Sequence, residues 1–315
     1  MKTDAVTPAD LARSVLSVPP LPRGADGALQ EGETRRLVDW LRAGGVTTYM
    51  FGGNANLYNI GVGEFAALLD LLERISPADG WMIPSVGADY GKACDQVDLL
   101  RERAFPTAML LPLTFPATPT GVATGLRKLA DRYGRPLIAY VKNEGYIEAR
   151  DLAALMADGA VCTVKYAVVR KDPAEDPLLS ALLDATGSGE RIISGIGERP
   201  VIDHVTRFGL NAFTSGSVCV APHLSMAILK ALKRGDVAEA AALQAHFIPL
   251  EDLRDRHSPI RVLHAAVAEA GIAATGPMAE FLSNLEDPAI LGAIREAASA
   301  LRAKSLEHGQ PANVG

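Results

Sequence analysis

The chain has 315 residues, 48% of them hydrophobic, and a formal net charge of −6. That composition belongs to a soluble globular protein with material for a large core. The acidic balance excludes a general polyanion binder, because nucleic-acid-binding domains carry a basic excess.

In chain order, the opening "MKTDAVTPADLARSVL" lacks the apolar stretch of a signal peptide, and no later run is long and apolar enough to span a bilayer. A reducing cytoplasm, with no membrane or nucleic-acid partner, is the expectation. Short β-rich runs then alternate with helical patterns: "SVLSV" (14–18), "VTTYMF" (46–51), "WMIPSV" (81–86), "TAMLLP" (107–112), "PLIAYV" (136–141), "AVCTVK" (160–165), "RIISG" (191–195) and "NAFTS" (211–215). Helices such as "EGETRRLVDWLRAGG" separate them, with Leu37, Val38 and Leu41 on one stripe and Gly44-Gly45 as the stop. Strands that each precede a helix predict a (β/α)8 TIM barrel over residues 1–234, whose usual size is about 250 residues. The open doubly wound alternative wants a glycine fingerprint after its first strand, and "PPLPRGADG" supplies none. Past Gly235 only helical patterns occur. Residues 235–315 are therefore expected to be a C-terminal helical extension ending in a frayed tail, "EHGQPANVG".

Barrels of this kind place chemistry at the C-terminal ends of their strands. The sixth strand ends in Lys165, an ammonium group in the apolar run "GAVCTVKYAVV". Burial disfavours the charged form of an amine, and the neutral amine is a nucleophile that condenses with carbonyls as a Schiff base. The plain alternative is a lysine that snorkels outward or pairs with a carboxylate. Tyr140 closes the neighbouring strand and supplies a phenol able to move a proton at an imine; the plain alternative is an ordinary strand aromatic. The strand-end loops "GGNANLY" (52–58), "LTFPATP" (113–119), "GIGERP" (195–200) and "SGSVCVAP" (215–222) complete the candidate region.

The order of these pieces resembles the dihydrodipicolinate synthase/N-acetylneuraminate lyase superfamily across nearly the whole chain. "GGVTTYMFGGNANLY" resembles that family's segment ending G-T-T-G-E-x-Y, and "PSVGADYGKACDQVDLL" its G-V-G-A strand and helix. "RPLIAYV" is similar to the strand that bears the proton-shuttling tyrosine, "VCTVK" to the one that bears the Schiff-base lysine, and "GLNAFTSGSVCVAP" to its G-A-x-G-x-I-S element. The resemblance implies that Lys165 forms an imine with a 2-oxo acid such as pyruvate, that Tyr140 shuttles protons, and that Gly53 and Asn54 hold the substrate carboxylate. Thr114, Gly195 and Ile196 complete the implied substrate-binding set. It also implies no metal and no cofactor, and a homotetramer or dimer. Three departures stand out: Gly53 replaces a relay threonine, Thr114 replaces a relay tyrosine, and Lys142 and Asn143 occupy the stretch where a carboxylate-clamping arginine is found. The expected activity is a class I lyase, an aldolase that makes or breaks a carbon–carbon bond beside a 2-oxo acid. A keto-deoxy sugar acid dehydratase using the same imine, or a catalytically silent ligand-binding barrel, are the alternatives.

Other motifs are set aside. Cys94, Cys162 and Cys219 form no C-x-x-C pair. His257 and His264 in "HSPIRVLH" are read on one helix face, too far apart for one ion. His204 and His223 follow strands and are candidates to line the mouth. Glu251, Asp252 and Asp255, interleaved with Arg254 and Arg256, read as a solvated, salt-bridged face.

Overall fold

The structure, a computed structural model, describes residues 1–309. Nine short strands run in chain order: β1 (Leu16–Ser17), β2 (Thr48–Met50), β3 (Trp81–Ile83), β4 (Ser85–Val86), β5 (Met109–Leu110), β6 (Leu137–Val141), β7 (Val161–Tyr166), β8 (Ile192–Ser194) and β9 (Thr214–Ser215). The expected third strand is two, because Pro84 has no N–H for a ladder and interrupts "WMIPSV". The helices are α1 (Pro8–Arg13), α2 (Glu31–Ala43), α3 (Val62–Ile75), α4 (Tyr90–Arg101), α5 (Pro119–Tyr133), α6 (Ala149–Ala157), α7 (Pro177–Thr186), α8 (Val201–Thr206), α9 (Pro222–Lys233), α10 (Val237–Gln244), α11 (Ile248–His257), α12 (Pro259–Glu269) and α13 (Pro288–Gly309).

The chain divides into two compact units. One holds Met1–Arg13 and Ile60–Thr214; the other holds Ser14–Asn59 and the chain from Ser215 onward. In the first unit β4-β5-β6-β7-β8 form one sheet in sequence order, all pairs parallel. Each strand is joined to the next through a helix, as parallel pairing requires. Helix boundaries follow local chemistry. Thr118 caps α5 by accepting from the Gly121 N–H, Pro119 opens it, and Gly134 closes it in the left-handed conformation. Asp176 and Pro177 do the same at the start of α7, which Gly187 ends. The inward stripes, Phe65, Leu68, Leu69 and Leu72 on α3 for example, are fully buried; each such side chain contributes roughly 1.5–3 kcal/mol of transfer free energy.

In the second unit β1 pairs parallel with β2, Leu16 opposite Thr48 and Ser17 opposite Tyr49, and the Val18 N–H donates to the Ser215 carbonyl at 2.9 Å. Beyond Gly235 the described residues form no strand, as the pattern predicts, and α12 and α13 are separated by an irregular stretch over 271–287. Two expectations fail in detail. "HSPIRVLH" is not one helix: Pro259 disfavours helical geometry at Ser258, so α11 ends at His257 and α12 begins anew under a Ser258 cap. His257 and His264 therefore share no helix face. Glu307–Gly309 of the expected tail belong to α13; residues 310–315 lie outside the described residues.

Candidate active site

The centre of the first unit's candidate site is the β6–β7 pair. Parallel register sets Tyr140 opposite Lys165, and Lys165 in turn opposite Ile193 of β8. The Lys165 Nζ stands 4.5 Å from the centroid of the Tyr140 ring. Such a contact attracts an ammonium group through the ring's quadrupole. It also holds the amine beside the residue expected to handle protons. Lys165 is only 4% exposed, and Val164 and Ile193 beside it are fully buried. A strand of β-branched and apolar residues accordingly delivers one amine to a defined place.

Gly195 follows β8 and is fitted to that amine. Its N–H donates to the Tyr166 carbonyl at 2.6 Å. A Cβ at this position would lie 2.6 Å from the same oxygen, 2.8 Å from the Ala167 Cβ and 3.0 Å from the Lys165 Cγ. Only a hydrogen fits, so the lysine stem lies flat along the backbone of residue 195. Ile196, half-buried, is the next residue. Gly197, at φ +86°, turns the chain so that its N–H reaches the Thr214 carbonyl at 3.1 Å. Glu198 after it is fully buried. Lys165, Tyr140 and Gly195 are thus brought together. Thr114 is exposed on the loop after β5 and makes no hydrogen bond among the described residues.

The other side of β7 carries a network that sequence reading missed. The Tyr166 hydroxyl meets both Asp176 carboxylate oxygens at 2.7 Å. Arg170 donates to Asp176 at 2.9 Å and pairs with Glu144 at 2.6 Å. Burial raises the pKa of the Asp176 carboxyl, but the hydrogen bonds from Arg170, Tyr166 and the Leu179 N–H outweigh it and hold the group below the usual carboxylate range. Tyr166 is driven upward, first by burial and then by Asp176. His204 does not line a mouth. It is buried on α8, with its Nδ1 2.8 Å from the Ser194 Oγ and its ring edge-on to Tyr166 and Phe208. Burial lowers its pKa despite Asp176 and Asp203. The readable signal here was Asp176-Pro177 before an apolar helical run, a helix start.

Gly53 and Asn54 belong to the second unit, on the loop after β2. The Asn54 amide donates to the Val18 carbonyl at 2.8 Å, so this side chain ties two strand ends of its own unit. The Gly53 carbonyl accepts from the Asn56 N–H at 2.9 Å, and the Gly52 carbonyl from Leu57 at 3.2 Å. Glu251 and Arg254 depart from the solvated face expected of them. They are 4% and 8% exposed, paired at 2.8 Å, and Glu251 is hydrogen-bonded to the Ser217 hydroxyl. His223, the other candidate for a mouth, stacks edge-on against Trp40 within this unit and approaches Ser305. Among the described residues no group of three or more His, Cys, Asp or Glu could hold a metal ion, and no helix is long and apolar enough to cross a membrane.

The fold has solved structural counterparts. The dihydrodipicolinate synthase of Bacillus clausii superposes with a TM-score of 0.82 at 20% identity, covering 93% of this chain and 98% of its own. The chain has the dihydrodipicolinate synthase fold. The 4-hydroxy-tetrahydrodipicolinate synthase of Methylacidiphilum fumariolicum SolV matches with a TM-score of 0.82 at 15% identity over 94% of this chain and 98% of that one. A structure of PhdJ bound to a substrate intermediate matches with a TM-score of 0.78 at 19% identity, over 97% and 100%. No protein-family model and no curated sequence matches the chain. The (β/α)8 barrel read from the strand order is borne out by this shared fold.

Proposed function

We propose that the protein is a Schiff-base lyase acting on pyruvate or a related 2-oxo acid. The observation that carries this reading is the Lys165 amine standing 4.5 Å over the Tyr140 ring on adjacent parallel strands, in a dihydrodipicolinate synthase fold. The neutral amine adds to the keto carbon, and loss of water from the carbinolamine leaves an iminium ion. In the cleavage direction, the electron pair of the bond between C3 and C4 flows into the iminium as an enamine while an aldehyde departs. A proton delivered to C3 regenerates the imine, and hydrolysis frees the 2-oxo acid and the lysine. Tyr140 is assigned the proton transfers at the carbinolamine and at the departing oxygen. The iminium is the electron sink, so the scheme draws on no cofactor. Condensation is the same sequence reversed, and dehydration of a keto-deoxy sugar acid uses the same imine. A cytoplasmic homo-oligomer belongs to the same reading.

The absence of an arginine from "YVKNEGYI" supports a second substrate other than aspartate semialdehyde. Lys142 and Asn143 are exposed, and Arg170, which reaches this loop, is already shared between Glu144 and Asp176. A lysine does not reproduce a bidentate clamp.

The test is borohydride reduction in the presence of pyruvate, followed by peptide mapping. The expected result is inactivation with a reduced adduct on Lys165, absent from Lys165→Ala, which keeps its far-ultraviolet circular dichroism. An adduct on Lys142 or Lys171, or none, defeats the assignment.

A further inference from the structure

The first unit contains a cavity of about 560 Å3 that the proposed chemistry does not use. It lies between the loop after β5, the first half of α5 and the loop after β6, with Leu113, Phe115, Val122, Leu126 and Tyr146 on its walls. Strand parity separates it from the lysine. Leu110, which lines it, is opposite Ala139, whereas the next residue, Tyr140, is opposite Lys165. Successive strand residues point to opposite faces, so the cavity opens on the side of the sheet turned away from the Lys165–Tyr140 pair.

Two properties specify what would fill it. The lining includes no Asp, Glu, Lys, Arg or His, and it presents three aromatic rings, Tyr90, Phe115 and Tyr146. A charged ligand would lose its hydration there with no opposite charge to meet. Tyr146 is only 9% exposed, yet its hydroxyl makes no hydrogen bond to any described residue. Burial alone pushes that phenol up to about 12, so it is a neutral donor at physiological pH. Tyr146 stands on the wall of a space of the size that holds small molecules elsewhere, where its hydroxyl is available to a ligand acceptor.

We infer that this cavity is a second binding site, separate from the imine site, for an uncharged small molecule with a planar apolar body and one hydrogen-bond acceptor that the Tyr146 hydroxyl meets. Gly121 and Gly125 on α5 leave the floor open for the planar body, and the exposed Phe115 closes the rim.

Benzophenone has this chemistry, a neutral diaryl body with a single carbonyl acceptor, and it crosslinks to neighbouring C–H bonds under light. Saturable photolabelling of the full chain should map to residues 113–129 or to Tyr146, and prior reduction of the pyruvate imine should leave it unchanged. Tyr146→Phe removes only the donor and should weaken binding roughly 3- to 10-fold. Val122→Trp fills the space and should abolish labelling while imine trapping on Lys165 persists. Absence of saturable labelling overturns the inference. So does a label on the Lys165 peptide that pyruvate trapping suppresses, which would make the cavity part of the imine site. Labelling that appears only when oligomers are dissociated also overturns it, because a second copy of the chain would then be the occupant.

Discussion

Lys165 and Tyr166 are neighbours on β7, but the two faces of that strand do different work. Tyr166 is locked by both oxygens of Asp176, and Asp176 in turn holds Arg170 and the first turn of α7. Lys165 lies along a glycine and over an aromatic ring, an environment that fixes where the amine is. The strand is anchored on one side so that a nucleophile can be presented on the other. Changes on the Lys165 side should therefore alter turnover and spare the fold, and changes on the Tyr166 side should do the reverse.

The largest effect expected within this comparison is on rate. Tyr140→Phe keeps the ring under the Lys165 amine and removes the hydroxyl. Turnover should fall by about 10²–10⁴, the range for a general acid–base group, while imine trapping remains detectable. Near-normal turnover would transfer the proton-handling role to another group. On the opposite face, Asp176→Ala leaves the Tyr166 hydroxyl and the Arg170 guanidinium without their shared partner and removes the α7 cap. A loss of about 2–4 kcal/mol in urea denaturation is expected, with pyruvate trapping on Lys165 retained under native conditions. Loss of trapping in a folded Asp176→Ala protein would show that the two faces are not separable.

The smallest effect is a pH dependence. His204 is held neutral by burial, and its folded pKa lies below the ordinary value. Its contribution to stability is complete above the unfolded pKa of about 6.5 and is lost as pH falls from there toward the folded value, because the unfolded chain binds the extra proton in that window. Thermal melts should therefore decline between neutral and mildly acidic pH, and His204→Gln should flatten that slope. Asp176 adds a second decline of the same sign at more acidic pH. Its carboxyl is depressed, so its stabilisation is lost as pH falls through the folded value.

The two faces also differ in how readable they were. Lys165 was visible because one charge interrupts a run that otherwise alternates around apolar residues, and Tyr140 because it closes the preceding strand. Gly195 could be picked from "GIGERP" as a place that needs room, and the contact with the Lys165 stem gives the reason. The Tyr166–Asp176–Arg170 network was not readable as a network. Its members are ordinary in sequence, and only the return of the loop after β7 makes them meet. The buried Glu251–Arg254 pair failed for a different reason. Interleaved signs on a helix usually mark a wet face, but here Ser217, far away in sequence, supplies the buried partner. Pro84 and Pro259 were both present to be read, and each broke an element that hydrophobic pattern alone made continuous.

The division of the chain has a consequence for the order in which the protein can be made. The sheet that carries Lys165 and Tyr140 is encoded without interruption between Ile60 and Thr214, whereas the other unit is assembled from Ser14–Asn59 and a segment that starts only at Ser215. During synthesis, β1, α2 and β2 leave the ribosome long before β9 and helices α9–α13 exist, and the whole β4–β8 sheet is translated in the interval. Because chains fold as they emerge, the lysine-bearing sheet is the part that can be complete first. The unit that holds β1 and β2 is complete only once the last third of the message has been translated.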